Sequence, residues 1–316
     1  FEEKSMSITA LGYLGVSSPR YQDWREFGGA VLGAQVTDDG PDGAVRLRID
    51  DVDWRVQIHP GEQDRLEYIG WLAHSEKDLP ALVDTLAGVG IEASWGSREL
   101  AESRGVFTLI TFTDPWGFSH EVAWGQTRSA SGFIPGRPMS GFVTGAQGLG
   151  HVVLILPDVD AGHTFFTETL GFEFSDAIID PTIGDPEHGF YGRFYHVNAR
   201  HHTLALVNGP PHLAGLHHLM LQVRSIDDMG TAHGLLDRHN VPETLGIGRH
   251  TNDEMVSFYC TTPSLFNIEY GYDGIELDTD HTPKLFGRGS IWGHKLNPES
   301  RHRAPGLMHP LPTPTT

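Results

Sequence analysis

The sequence predicts an α+β protein of two domains, each built from paired βαβββ modules. Three observations lead there. Segments of the first half recur in order in the second, each recurrence joins strand-like runs to a helical stretch, and the match resumes near the end of each half. LGYLGV at 11–16 faces LGHVVL at 149–154, and AVLGAQV at 30–36 faces ETLGFEF at 168–174 with the same spacing. TDPWGFSHEVAWG at 113–125 parallels TTPSLFNIEYGYDG at 261–274, so that Pro115, Phe118 and Glu121 fall on Pro263, Phe266 and Glu269. The spacing of this last match is longer, which predicts a loop insertion in the second half around 178–190.

The elements follow in order. Met6 followed by SITALGYLGV reads as the natural start, with residues 1–5 outside the fold. After the first strand, SPRYQDWREFGGAVLG reads as a helix closed by Gly33, and DVDAGHTFFTETLG as its counterpart closed by Gly171. Apolar residues alternate in VRLRIDDVDWRVQI (45–58) and GRFYHVNARHHTLALV (192–207), as half-buried strands require. A strand, an amphipathic helix and a Gly-marked turn fill 69–90, and the pattern returns at 216–241, so each half divides into two modules. The expected domains are 6–137 and 138–290, joined through the Gly-, Ser- and Pro-containing stretch 129–145. Residues 291–316 read as a Pro-rich, extended tail.

Composition narrows the function classes. With 316 residues, 39% hydrophobic and 20% charged, the chain can bury two ordinary cores. No apolar run approaches a membrane span, and residues 1–7 lack the apolar stretch of a signal peptide. A net charge of −19 argues against nucleic acid or an acidic membrane as partner. The one cysteine, Cys260, excludes an internal disulfide and suits a reducing cytoplasm, the expected location.

The repeat separates three residues from the 19 histidines and many carboxylates. His151 falls where the first half has Tyr13, His218 near where it has Gly70, and Glu269 where it keeps Glu121. The second half thus offers two imidazoles and a carboxylate on three strands. That donor set on one face of a metal leaves positions open for substrate and O2, and fits Fe(II), or less well Mn(II), better than a thiolate-seeking ion. Taken singly, each residue has an ordinary reading: a strand histidine is most often a hydrogen-bonded core or surface residue, and Glu269 could face solvent. His217 is expected on the face opposite His218, because strand neighbours alternate.

GLGHVVL, NARHHTLAL, LHHLMLQVRSIDDMG and LGIGRHTNDEMVSFYCTTPSLFNIEYG together resemble the type I extradiol dioxygenases of the vicinal oxygen chelate superfamily. The likeness is strongest to the two-domain 2,3-dihydroxybiphenyl 1,2-dioxygenase group and runs from SITALGYLGV to SIWGHK at 290–295. It implies a first domain without metal, a catalytic second domain, Fe(II) as cofactor, and catechol-type aromatics with O2 as substrates. His151, His218 and Glu269 match the family's iron ligands. His202 matches its acid–base histidine, His250 and Tyr259 match groups that hydrogen-bond the bound catechol and oxygen, and Asn252 and Asp253 match supporting polar residues. His201 reads as a cross-strand packing residue. Candidate pocket positions are Phe190, Phe194, Leu204 and Met220, each also readable as plain core. The family is often oligomeric, so a homo-oligomer is expected. Two other readings share the fold: a vicinal oxygen chelate protein of different chemistry, such as a glyoxalase-like isomerase, and a metal-free aromatic-binding module.

Overall fold

The structure, a computed structural model, describes residues 8–37, 40–185, 189–297 and 307–308. Of the expected tail, residues 298–306 and 309–316 lie outside the described residues, as do 186–188 in the expected insertion.

The first half contains β1 (Ile8–Ser18), α1 (Trp24–Glu26), β2 (Gln35–Thr37), β3 (Val45–Arg48), β4 (Val56–Pro60), β5 (Arg65–Ala73), α2 (Asp78–Gly88), β6 (Ala93–Trp95), α3 (Arg98–Arg104), β7 (Thr108–Thr113) and β8 (Ser119–Trp124). The second contains β9 (His151–Leu156), α4 (Val159–Thr164), β10 (Glu173–Asp185), β11 (Gly189–His196), β12 (Leu204–Asn208), β13 (Gly215–Val223), α5 (Ile226–Leu235), β14 (Glu243–His250), β15 (Val256–Thr261) and β16 (Asn267–Tyr272). Three short strands follow: β17 (Lys284–Phe286), β18 (Ser290–Trp292) and β19 (Leu307–Met308).

The two sheets repeat one topology. The first runs β2-β3-β4-β1-β5-β8-β7-β6 and the second contains β10-β11-β12-β9-β13-β16-β15-β14. In each, the first strands of the two modules pair antiparallel at the centre, β1 with β5 and β9 with β13. Both first-module helices continue α1 and α4 into a π-helical turn, at Phe27–Leu32 and Phe165–Thr169. Both stop at a left-handed glycine, Gly33 (φ 82°) and Gly171 (φ 78°), a conformation that costs other residues strain.

Alternation along the central strands assigns side chains to two environments. In β9, Val152, Leu154 and Leu156 join the main core, whereas Val153 and Ile155 join a separate cluster with Ile178, Phe194 and Val207 on the concave face. All six residues of β9 are buried, because both faces of the strand are covered. His151 belongs with Val153 on the concave side by the same alternation.

The expected insertion corresponds to the β10–β11 hairpin, where a thirteen-residue strand stands in place of the three residues of β2. The two halves share one hydrophobic core. Trp24 packs against Phe266 with tilted rings 5.7 Å apart and donates Nε1–H to Ser264 Oγ at 2.7 Å, and Trp71 meets Phe172 edge-on at 5.1 Å. Tyr270 donates its hydroxyl to the Leu32 carbonyl at 2.7 Å.

Residues 291–297, read from sequence as tail, pack against the second sheet. β18 pairs with β14, and Leu296 bridges to Leu245.

The Trp24 contact is testable. Trp24→Phe keeps a ring at the junction but leaves the buried Ser264 hydroxyl without this donor. The expected loss is about 1–3 kcal/mol, seen as a lower urea midpoint; an unchanged midpoint would show that the bond contributes nothing.

Candidate metal centre

Three adjacent central strands, β9, β13 and β16, converge on one point. His151 opens β9, and Met220 of β13 lies opposite both His151 and Glu269 of β16. His218 sits two residues before Met220, on the same face. His151 Nε2 lies 3.1 Å from Glu269 Oε2, His218 Nε2 lies 3.3 Å from the same oxygen, and the two ring nitrogens are 3.2 Å apart. All three residues are buried.

The donor set fits a divalent ion. Bonds of about 2.1 Å at right angles put neighbouring donor atoms about 3.0 Å apart. A single proton can bridge only one edge of this triangle, whereas one cation serves all three corners. Two neutral imidazoles and a carboxylate are also the donors expected for Fe(II) or Mn(II). Among the described residues, this is the one His/Cys/Asp/Glu group arranged to hold a metal.

The other sequence-selected residues surround the triangle. His202 stacks on His151 with ring centroids 3.9 Å apart. His250 Nε2 lies 2.8 Å from the Tyr259 hydroxyl and 3.1 Å from Glu269 Oε1, while its Nδ1 lies 3.0 Å from the Gly289 carbonyl. Asn252 donates to Asp176 Oδ1 at 3.4 Å. Asp253 accepts from the Met255 amide through Oδ1 and directs Oδ2 to within 3.9 Å of His202 Nδ1. All eight selected residues line one cavity of about 750 Å³.

Two family models match the chain: the Glyoxalase/Bleomycin resistance protein/Dioxygenase superfamily over 148–270 and Dihydroxybiphenyl dioxygenase BphC D1 over 11–61. The biphenyl-2,3-diol 1,2-dioxygenase of Paraburkholderia xenovorans (strain LB400) is 40% identical over 92% of this chain and 96% of its own. The chain belongs to the extradiol dioxygenase family. An extradiol dioxygenase of Rhodococcus jostii (strain RHA1), named iron-dependent, is 36% identical over 92% of this chain and 98% of its own. The crystal structure of BphC, a halotolerant catechol dioxygenase, superposes with a TM-score of 0.91 at 42% identity, covering 96% of this chain and 99% of that one.

Within this extradiol dioxygenase, several site residues were not legible as such. Ser257 donates to Glu269 Oε1 at 2.7 Å. His294, from the segment read as tail, lies 3.2 Å from Ser257 Oγ and 2.8 Å from Ser290 Oγ, with its ring 4.1 Å from that of His250. His217 does not face away from His218: their Nδ1 atoms lie 2.7 Å apart and both residues line the cavity. A register shift between Leu216 and His218 breaks the alternation that would have separated them. Of the candidate wall positions, Phe190 and Phe194 line the cavity with Val153, Ile178, Val207 and Leu296, whereas Leu204 and Met220 are buried and do not line it.

The first half corrects one correspondence. Tyr13 pairs with Gly70 and Gly70 with Glu121, as His151 pairs with Met220 and Met220 with Glu269. Gly70 therefore matches Met220, and the counterpart of His218 is Tyr68. A Cβ on Gly70 would come within 2.2 Å of the Tyr13 ring, so the missing side chain makes room for that ring. Tyr13 donates to Glu121 Oε2 at 2.7 Å, and Arg104 grips both Glu121 oxygens while lying 3.7 Å over the Tyr68 ring. The guanidinium neutralises the carboxylate that has two imidazoles for neighbours in the second half.

Electrostatics follow burial and partners. Burial alone would raise the Glu269 carboxyl, but hydrogen bonds from His151, His218 and His250 hold it well below the usual range. Burial drives His202 well below an ordinary histidine, helped by His151 and His201. Burial also takes His217 and His294 down to about 3. Burial opposes a charge on His250, yet the bond and charge of Glu269 bring it up to about 9.

These shifts set a stability profile for the chelator-treated chain. The unfolded chain protonates His217 and His294 near about 6.5, the folded chain near 3. Their contribution is therefore full above 6.5 and is lost as pH falls toward 3. His250 has the opposite sign: its contribution is full below 6.5 and is lost as pH rises through about 9. Urea midpoints should peak near neutrality and fall on both sides. In His294→Gln the acid fall should be shallower; an identical acid limb would contradict the assignment.

Proposed function

We propose that the chain is an Fe(II)-dependent extradiol dioxygenase acting on substituted or bicyclic catechols, with His151, His218 and Glu269 as iron ligands in a catalytic second domain and a first domain that holds no metal. The observation that carries the reading is the triangle of three buried donor atoms beneath a cavity with one polar end and apolar walls. The name of the iron-dependent relative supports iron over manganese, and the biphenyl-2,3-diol relative supports a second ring or bulky substituent on the catechol. When bound, ferrous iron lowers the pKa of a coordinated hydroxyl and mediates electron transfer between aromatic ring and O2.

The chain's own residues do the rest. Val153, Ile178, Phe190, Phe194, Val207 and Leu296 form apolar walls that receive the distal part of the substrate and exclude water. His250 and Tyr259 hold a catechol oxygen at the polar end. Buried Tyr259 has its hydroxyl pushed well above the usual value by burial and by Glu269 and Asp253, so it keeps its proton and donates it in a hydrogen bond. His202, neutral because it is buried, accepts a proton from the substrate hydroxyl and returns it as the ring opens. Ser257 orients Glu269 through Oε1, leaving Oε2 toward the two histidines. The reading also takes the chain as a cytoplasmic homo-oligomer. The reduced Cys260 suits the first part, and exposed Leu285, Ile291 and Trp292 offer apolar surface for the second. Among the described residues, no helix is long and apolar enough to cross a membrane.

Anaerobic loading with Fe(II), then addition of 2,3-dihydroxybiphenyl and air, should give O2 uptake and a yellow ring-fission product, with less from Mn(II). No O2 uptake across several catechols would refute the function. Glu269→Ala and His218→Ala should lose bound iron. His202→Ala should keep its iron yet turn over about 100- to 10,000-fold more slowly; wild-type turnover would remove His202 from the chemistry.

A further inference from the structure

A buried acid–histidine pair stands behind His202. His201 and Asp176 are 2% and 1% exposed, and His201 Nε2 lies 2.9 Å from Asp176 Oδ2, a close charge contact in which the ring N–H is not aligned as a hydrogen bond. His201 Nδ1 in turn lies 3.1 Å from His202 Nδ1. The other oxygen of Asp176 accepts from Asn252 at 3.4 Å, which fixes the carboxylate from the far side. None of these three residues is in the donor triangle.

Proton counting gives the pair a role. A carboxylate beside His201 Nε2 favours a proton on that nitrogen. In neutral His201 the Nδ1 atom is then a bare acceptor. The short contact between the two Nδ1 atoms needs one proton, which must sit on His202. His202 Nε2, turned away from His201 across the ring, is then the nitrogen with a free lone pair. Without the carboxylate, the proton on His201 is free to move to Nδ1, and the same contact then pushes the His202 proton onto Nε2, where a base has no use for it.

We propose that Asp176 and His201 are positioning residues that hold the His202 proton on Nδ1, so that Nε2 meets the substrate as a base. This rests on the reading of His202 as the acid–base group. It gives Asn252 a function as the clamp on Asp176, and it assigns His201 more than cross-strand packing.

The test reads the tautomer directly. Ring-nitrogen NMR on the full chain loaded with diamagnetic Zn(II), with His202 assigned by its loss in His202→Gln, should show the proton on Nδ1. In Asp176→Asn the new carboxamide would keep its oxygen toward Asn252 and turn its NH2 on His201, so the His202 proton should move to Nε2. With Fe(II), Asp176→Asn should lower kcat about tenfold or more at unchanged KM and iron content. His201→Asn, which can place an oxygen where Nδ1 was, should keep more of kcat than His201→Phe; this pair tests the relay even if Asp176→Asn does not fold. A wild-type His202 protonated on Nε2, or full kcat in Asp176→Asn or His201→Phe, would overturn the proposal. If His202→Ala itself turned over normally, the acid–base reading would fail instead; slow His202→Ala beside normal His201→Phe would sink the relay alone.

Discussion

A carboxylate buried to 1% exposure organises the second half of this molecule. Taking an anion out of water costs several kcal/mol unless charge and hydrogen bonds replace the solvent. Glu269 meets that requirement with His151 and His218 on Oε2 and with Ser257 and His250 on Oε1. Three of these groups are held in turn by others: His218 by His217, His250 by the Gly289 carbonyl and Tyr259, Ser257 by His294. The sheet register, the bulge at His218 and the folding back of β18 all serve to bring donors to one acceptor.

The first half faces the same problem and answers it differently. Glu121 is also buried, and it occupies the same register position as Glu269. Its countercharge is the covalently tethered guanidinium of Arg104, with Tyr13 as the neutral donor. The space that a ligand-bearing centre would need is filled by two tyrosine rings and opened only by the absence of a side chain at Gly70. One scaffold thus supports either a mobile cation or a fixed one.

Much of this could be read from the chain because period and repeat are properties of sequence. The matches of Tyr13 with His151 and Glu121 with Glu269 are direct, since each lies within a contiguous recurring segment. The counterpart of His218 was misplaced at Gly70 because the insertion of the β10–β11 hairpin blurs the spacing, and only strand register restores Tyr68. His217 escaped because strict alternation holds only in an unbroken strand, and the bulge beside it leaves no mark in the residue types. His294 was cut off by a boundary drawn on composition: Pro-rich character begins near it, yet SIWGHK still pairs with β14. His201 reads as a cross-strand packing residue until Asp176, far away in sequence, is seen at its other nitrogen.

The tyrosine plug in the first half carries a mutational consequence. Exchanging Tyr13 alone for an imidazole would leave a hole beside Gly70 and set the new ring near a guanidinium that already occupies the carboxylate. Exchanging Arg104 alone would strand a buried anion. Each single step is therefore worse than either end state, and the penalties are coupled through shared contacts rather than additive. Tyr13, Gly70, Glu121 and Arg104 therefore behave as one interlocked unit, in which no member can change without unsettling the other three.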